Sequence, residues 1–220
     1  MGPRDSWLAL ALGTVVLGLE LIDVAGPPVR WETMPADAPP PAVQPAEVRW
    51  AGEAEWPDDH RGSFLAEATP LAIASGLSRC VPPSVTLAQA ILESGWGRST
   101  LARRHHNWFG IKGAGVVLET IEGVGEPARA SFRRWESPVD GVTAHARILS
   151  ADRRYSHAWA TWPDGRRFAR AIAGTWATDP RYAERLVWLI DRYRLDRWDA
   201  QVAEASPCGD ATASTDSHAD

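Results

Sequence analysis

Residues 87–113 read LAQAILESGWGRSTLARRHHNWFGIKG, and the fold turns on how this stretch divides. Leu87, Ala88, Ile91 and Leu92 recur at helical spacing, which predicts an apolar helix. Ser84 follows Pro82-Pro83 and is a favourable N-cap for a helix over Val85–Ser94. Gly95 and Gly97 end that helix, since glycine enters the left-handed region without steric cost. Glu93 then lies in its last turn, at the margin of the buried side. Ser99 predicts the cap of a further short helix running to His105.

The flanks extend this pattern. Upstream, Phe64, Leu65, Ala68, Leu71, Ala72 and Leu77 keep helical spacing, with a kink expected at Pro70. Downstream, over residues 113–134, Gly113, Gly115, Gly123 and Gly125 are interleaved with Val116, Val117, Leu118, Ile121 and Val124, which predicts a small β-hairpin lobe. Ser137-Pro138-Val139-Asp140 opens a helix to about Ser150. Arg166–Ala173 and Pro180–Tyr193 read as two more helices, with Asp179 as the cap of the last and Pro180 at its first position. The expected class is α+β, mostly α, with one β-hairpin lobe and no internal repeat.

The chain has 220 residues, 45% apolar and 23% charged, which excludes a disordered or collagen-like polymer. Its net charge of −5 argues against a nucleic-acid partner. That charge is unevenly spread. Residues 1–59 carry 3 Arg and 10 acids, residues 60–200 carry 20 bases and 14 acids, and residues 201–220 carry 4 acids and no base. The basic middle suits an anionic polymer. Lys112 is the one lysine, and the 12 Trp outnumber 3 Tyr and 4 Phe. Trp faces stack on sugar rings, although most Trp residues in a globular chain are core.

Trp7–Leu19 is an uncharged apolar run, short for a membrane span, which fits an export signal over residues 1–25. Asp23 makes a poor cleavage context, so an uncleaved membrane anchor is the alternative reading. The proline-rich residues 26–58 form an extended linker, 59–200 the compact domain, and 201–220 a disordered acidic tail. Cys80 and Cys208 make no disulfide scaffold and no zinc spacing, but an exported chain lets them pair. The expected location is therefore the periplasm or cell envelope.

A carboxylate that closes an apolar helix is desolvated and sits at the negative end of the helix dipole, and both effects raise its pKa. That suits Glu93 to general acid catalysis near neutral pH. From the helix alone, a solvated helix-end glutamate is the plainer reading. Asp179 likewise reads first as a cap, and Lys112 equally as a surface charge.

Three blocks in order, AQAILESGWGRS (Ala88–Ser99), NWFGIKG (Asn107–Gly113) and WATDPRYA (Trp176–Ala183), resemble the glucosaminidase family of bacterial cell-wall hydrolases, glycoside hydrolase family 73. The resemblance runs from about Phe64 to Leu195. It implies a lysozyme-like fold and cleavage of the β-1,4 bond after N-acetylglucosamine in peptidoglycan. It assigns the catalytic acid to Glu93, the second carboxylate to Glu122 in Thr120-Ile121-Glu122, and the aromatic facing the acid to Tyr182. Trp96, Asn107, Phe109, Lys112, Trp176 and Asp179 become substrate-binding candidates. The chain departs from the family at His106, where a second asparagine is usual, and at Trp176, where the family usually has a tyrosine and a phenolic hydroxyl is lost. The implied partner is the peptidoglycan glycan strand, met by a monomer without cofactor or metal. The competing readings are a lytic transglycosylase, a peptidoglycan amidase and a non-catalytic wall-binding or assembly module. A zinc amidase is disfavoured, because the only His pair, His105-His106, points about 100° apart on a helix.

Overall fold

The computed structural model describes residues 58–122, 126–206 and Cys208, without the side chains of residues 120–128. The apolar run Trp7–Leu19, the proline-rich linker up to residue 57 and the tail beyond Cys208 lie outside the described residues. Seven α-helices and one hairpin are described: α1 (His60–Arg79), α2 (Pro83–Ser94), α3 (Thr100–His105), β1 (Lys112–Glu122), β2 (Glu126–Phe132), α4 (Pro138–Ala151), a 3-10 helix (Arg153–Thr161), α5 (Gly165–Trp176), α6 (Tyr182–Tyr193) and α7 (Arg197–Ala205).

Helix α2 is the axis of the domain. It packs against α1, α5, α6 and α7. Every residue from Pro83 to Ile91 is buried, as a helix surrounded on all sides requires. Its start differs from expectation. The helix begins at Pro83, and Ser84 is not the cap but a buried residue of the first turn. The Ser84 N–H donates to Asp199 Oδ1 at 2.9 Å, and its hydroxyl donates to Asp199 Oδ2 at 2.6 Å. A first-turn N–H has no partner within its own helix, and here a carboxylate from α7 supplies one. The far end matches the glycine signal. Gly95, Trp96 and Gly97 have φ of 58°, 64° and 72°, so the chain turns sharply straight after the helix. A Cβ on Gly97 would meet the Phe64 ring at 2.7 Å.

Around this axis the predicted elements recur with small shifts. Asp59 caps α1 through the N–H groups of Arg61 and Gly62, and Pro70 lies inside the helix without ending it. Ser99 caps α3. Ser137 and Asp140 form a reciprocal capping box on α4. The hairpin is antiparallel, with Val116 opposite Phe132 and Glu122 opposite Glu126, and a register shift between Lys112 and Val116.

Two departures matter at the C-terminal side. Helix α6 starts at Tyr182 rather than Pro180, because residues 179–182 are used in a turn: Asp179 Oδ1 accepts the Arg181 N–H at 3.0 Å and its carbonyl accepts the Tyr182 N–H at 3.0 Å. The ordered domain also runs past residue 200. Helix α7 extends to Ala205 with Trp198 and Val202 buried, and Cys208 is buried and disulfide-bonded to Cys80 at the end of α1. The expected tail at 201–220 therefore begins with structure, because two apolar anchors and a cystine hold a sequence of otherwise small and polar residues.

Candidate active site

Glu93 is the penultimate residue of α2 and is half-buried. Its Oε1 accepts two hydrogen bonds, from the Tyr182 hydroxyl at 2.5 Å and from the Trp176 indole N–H at 3.1 Å. Trp176 is the last residue of α5 and Tyr182 the first of α6. The short connection between these helices thus brings both donors to one oxygen. Among the described residues, no hydrogen bond is made to Oε2.

Burial pushes the Glu93 carboxyl upward, and the bonds from Tyr182 and Trp176, which stabilise the anion, oppose the rise. Tyr182 is itself 4% exposed. Burial and the adjacent Glu93 push its hydroxyl far above the ordinary tyrosine value, so it stays protonated and donates. The indole of Trp176 fills the place where a phenolic donor was missed: the hydroxyl is absent, but an N–H reaches the same carboxylate.

A second layer lies behind Tyr182. Gln89, one turn before Glu93, is fully buried and donates its Nε2–H to the Tyr182 hydroxyl oxygen at 3.0 Å. Its Oε1 lies 2.8 Å from Nε2 of His145, a buried residue of α4. A carbonyl oxygen only accepts, so His145 carries its proton on Nε2. Burial holds His145 neutral, lowering its pKa to about 3. The imidazole stacks on Phe109 at 3.8 Å and meets Trp176 edge-on at 5.3 Å. The result is a directed row of hydrogen bonds, His145 to Gln89 to Tyr182 to Glu93.

The other candidates divide. Phe109 is a buried ring, 2% exposed, that supports His145. Asn107 is buried as well. Its buried amide donates to the carbonyls of Ile111 and Arg133, both at 2.9 Å, and accepts the Ile111 N–H at 3.0 Å. It thereby ties the loop before β1 to the chain after β2 and positions the lobe. Asp179 serves the turn before α6 and pairs with Arg185 at 3.3 Å.

Trp96 packs against Phe64 and Tyr193, with Arg61 over its ring. It lines a groove of about 590 Å³ with Leu92, Arg181, Arg185 and the exposed Trp188, and Glu93 is not part of that lining. Lys112 is exposed at the start of β1. The backbone of Glu122 ends β1 opposite Glu126, and its side chain lies outside the described residues. Among the described residues, no group of three His, Cys, Asp or Glu is placed to hold a metal ion, and no helix is long and apolar enough to cross a membrane.

Sequence reasoning missed Gln89 and His145. Both carried a signal. Gln89 is four residues before Glu93 and so shares its helix face. His145 lies between alanines on the stripe of Val142, Ala146 and Leu149 that α4 buries.

Residues 69–195 match the family described as glucosaminidase, mannosyl-glycoprotein endo-beta-N-acetylglucosaminidase. The chain is 34% identical over 131 residues to exo-glucosaminidase LytG of Bacillus subtilis (strain 168), covering 54% of this chain and 46% of that protein. The catalytic domain of the autolysin Auto from Listeria monocytogenes has a TM-score of 0.57 and 26% identity, over 70% of this chain and 93% of that one. A glycoside hydrolase domain of FlgJ from Salmonella typhimurium has a TM-score of 0.51 and 30% identity, over 62% of this chain and 98% of that one. The fold is the lysozyme-like one of these domains, mostly helical with a two-stranded antiparallel hairpin. The chain spans less than half the length of the curated relatives it matches.

Proposed function

The chain belongs to the glucosaminidase family, and from that premise we propose that it is a peptidoglycan hydrolase, an endo-β-N-acetylglucosaminidase with Glu93 as general acid. The observation that carries this reading is the state of one carboxyl group. Glu93 is half-buried with a raised pKa, its Oε1 is taken by two donors, and its Oε2 is unbonded among the described residues. In the neutral acid the proton therefore belongs on Oε2, because Oε1 already accepts twice. A glycosidase acid needs this arrangement: one oxygen anchored and the other free to protonate the leaving-group oxygen as the sugar develops oxocarbenium character.

Glu122, at the end of the hairpin lobe, is the candidate to activate water or stabilise the cation. Attack by the substrate's own N-acetyl group is the alternative route. The exposed part of Trp176 offers a sugar platform beside the acid, and Lys112 together with the basic residues of the domain suits the anionic stem peptides of the wall. The apolar run Trp7–Leu19 supports export to the cell envelope, with membrane anchoring if it is not cleaved.

Glu93→Gln should lower lysis of purified cell walls by about 10³-fold or more while its thermal unfolding stays close to wild type. Substantial lysis by the folded variant would sink the assignment. Mass spectrometry of the soluble products should find reducing N-acetylglucosamine ends. Reducing muramic ends would make the enzyme a muramidase, and anhydro-muramic ends a lytic transglycosylase.

A further inference from the structure

We propose that Gln89 and His145 are positioning residues that hold the Tyr182 hydroxyl as a donor to Glu93, and so keep the acid's proton on the oxygen that is free to meet substrate. This rests on the reading of Glu93 as the acid.

The danger the row removes is a second proton arrangement. A protonated Glu93 could carry its hydrogen on Oε1 and donate it inward to Tyr182. The proton would then point away from the cleft, and the acid would be protonated but idle. That arrangement needs Tyr182 to act as acceptor toward Glu93 and to send its own hydrogen elsewhere. Gln89 blocks it. Its N–H, 3.0 Å from the phenolic oxygen, takes the lone pair on that side and leaves the hydroxyl hydrogen the orientation toward Glu93.

A glutamine amide can reverse its two ends at little intrinsic cost, so something must fix it in turn. His145 does so. It is fully buried and neutral, and its Nε2–H, 2.8 Å from Gln89 Oε1, demands an acceptor there. Its Nδ1 has no hydrogen-bond partner among the described residues. Moving the proton to Nδ1 would strand a buried N–H, and such orphans are strongly disfavoured. Phe109 and Trp176 hold the imidazole plane. The titratable groups facing the row are Glu93 from α2, His145 from α4, Tyr155 from the 3-10 helix, which acts on Tyr182, and Tyr182 from α6.

The experiment is the pH dependence of kcat on purified peptidoglycan, with KM measured beside it. Gln89→Met keeps the volume, removes the N–H donor and offers the Tyr182 hydrogen only a weakly accepting thioether, so it frees Tyr182 to accept from the neutral acid. The neutral form of Glu93 gains, so the alkaline limb of kcat should move up by about half to one pH unit. kcat at the plateau should fall roughly 10-fold with KM unchanged. His145→Leu should do the same, and His145→Gln, which keeps an N–H near the Nε2 position, should restore the wild-type limb.

Should Gln89→Met fail to fold, Gln89→Glu keeps its shape. A carboxylate accepts from both neighbours and draws the Tyr182 hydrogen off Glu93, so its limb should also move up. An unmoved limb in the folded Gln89 variants, or losses confined to KM, would overturn the positioning role. An inactive Glu93→Gln alongside unmoved limbs would overturn that role alone, whereas an active Glu93→Gln would overturn the acid assignment itself.

Discussion

Buried Asp199 and half-buried Glu93 are carboxylates at opposite ends of α2, and burial pushes both upward, Asp199 to about 7. Their hydrogen bonding separates them. At the N-terminal end, Asp199 accepts the Ser84 N–H and hydroxyl, one on each oxygen, and the Gly165 backbone adds to them. There the helix dipole favours an anion and both oxygens are used. A Cβ on Gly165 would collide with Ser84 Oγ and Asp199 Oδ2, so the clamp admits nothing larger. At the C-terminal end the dipole disfavours an anion, one oxygen is anchored, and the other accepts no hydrogen bond among the described residues. A raised pKa thus marks both groups and cannot identify the catalyst. In the proposed reading, the oxygen without a hydrogen bond sets Glu93 apart.

The largest expected effect breaks the symmetry outright. Glu93→Gln should remove about 10³-fold or more of activity at little cost in stability. Asp199→Asn should leave kcat of the folded enzyme within about twofold, since it touches nothing in the row to Glu93. A loss of comparable size in both variants would mean that the two ends of α2 are one functional unit.

Next comes the cystine. Cys80 and Cys208 fasten α7, the helix that carries Asp199, to the end of α1 across a sequence separation of 128. Replacing both cysteines with serine should cost about 3 kcal/mol in denaturant unfolding. The same variant should keep the wild-type kcat–pH profile at low temperature, because the row at the other end of α2 does not depend on α7. A displaced alkaline limb would show that the clamp and the acid are coupled.

Tyr182→Phe sharpens the comparison at the Glu93 end. It deletes the shorter of the two bonds that hold the anion down. The Glu93 pKa should rise, and kcat should fall by about 30-fold at neutral pH, with Trp176 retaining part of the anchoring. A pH profile identical to wild type would show that Tyr182 has no electrostatic hold on the acid.

What could be read in the sequence was local. The apolar period of α2, the Gly-Trp-Gly stop, the Ser99 and Ser137 caps and the interleaved hairpin all express their physics within a few residues. The resemblance then singled out Glu93 and Tyr182, which the structure joins at 2.5 Å. The misreadings concern distant partners. Ser84 looks like a cap until a carboxylate 115 residues away takes its place. Phe109 and Asn107 sit in a motif beside the acid, yet one supports His145 and the other closes a loop. Helix α7 shows only Trp198 and Val202 as a buried stripe, too short a pattern to separate from a polar tail. Trp176 looked like a lost hydroxyl because a residue type says nothing of where its N–H points.

The smallest predicted effect tests the buried groups at the two ends through stability alone. Asp199 titrates near 7 in the folded domain, above its ordinary 3.8, so its contribution is full below about pH 4 and is lost as pH rises through about 7. His145 titrates near 3, below its ordinary 6.5, so its contribution is present above about pH 6.5 and is lost as pH falls toward 3. Between about pH 4 and 6.5 the two slopes oppose each other. Glu93, also raised, shares the sign of Asp199 and is unchanged in either single variant. Relative to wild type, Asp199→Asn should tilt urea-unfolding stability upward with pH across this window, and His145→Gln should tilt it downward. Each tilt is a fraction of the ~1.4 kcal/mol per pH unit that one proton allows. A variant whose stability runs parallel to wild type across this window would mean that its group keeps an ordinary pKa in the folded domain, and the pairing of a proton-holding clamp with a proton-refusing imidazole around α2 would fall.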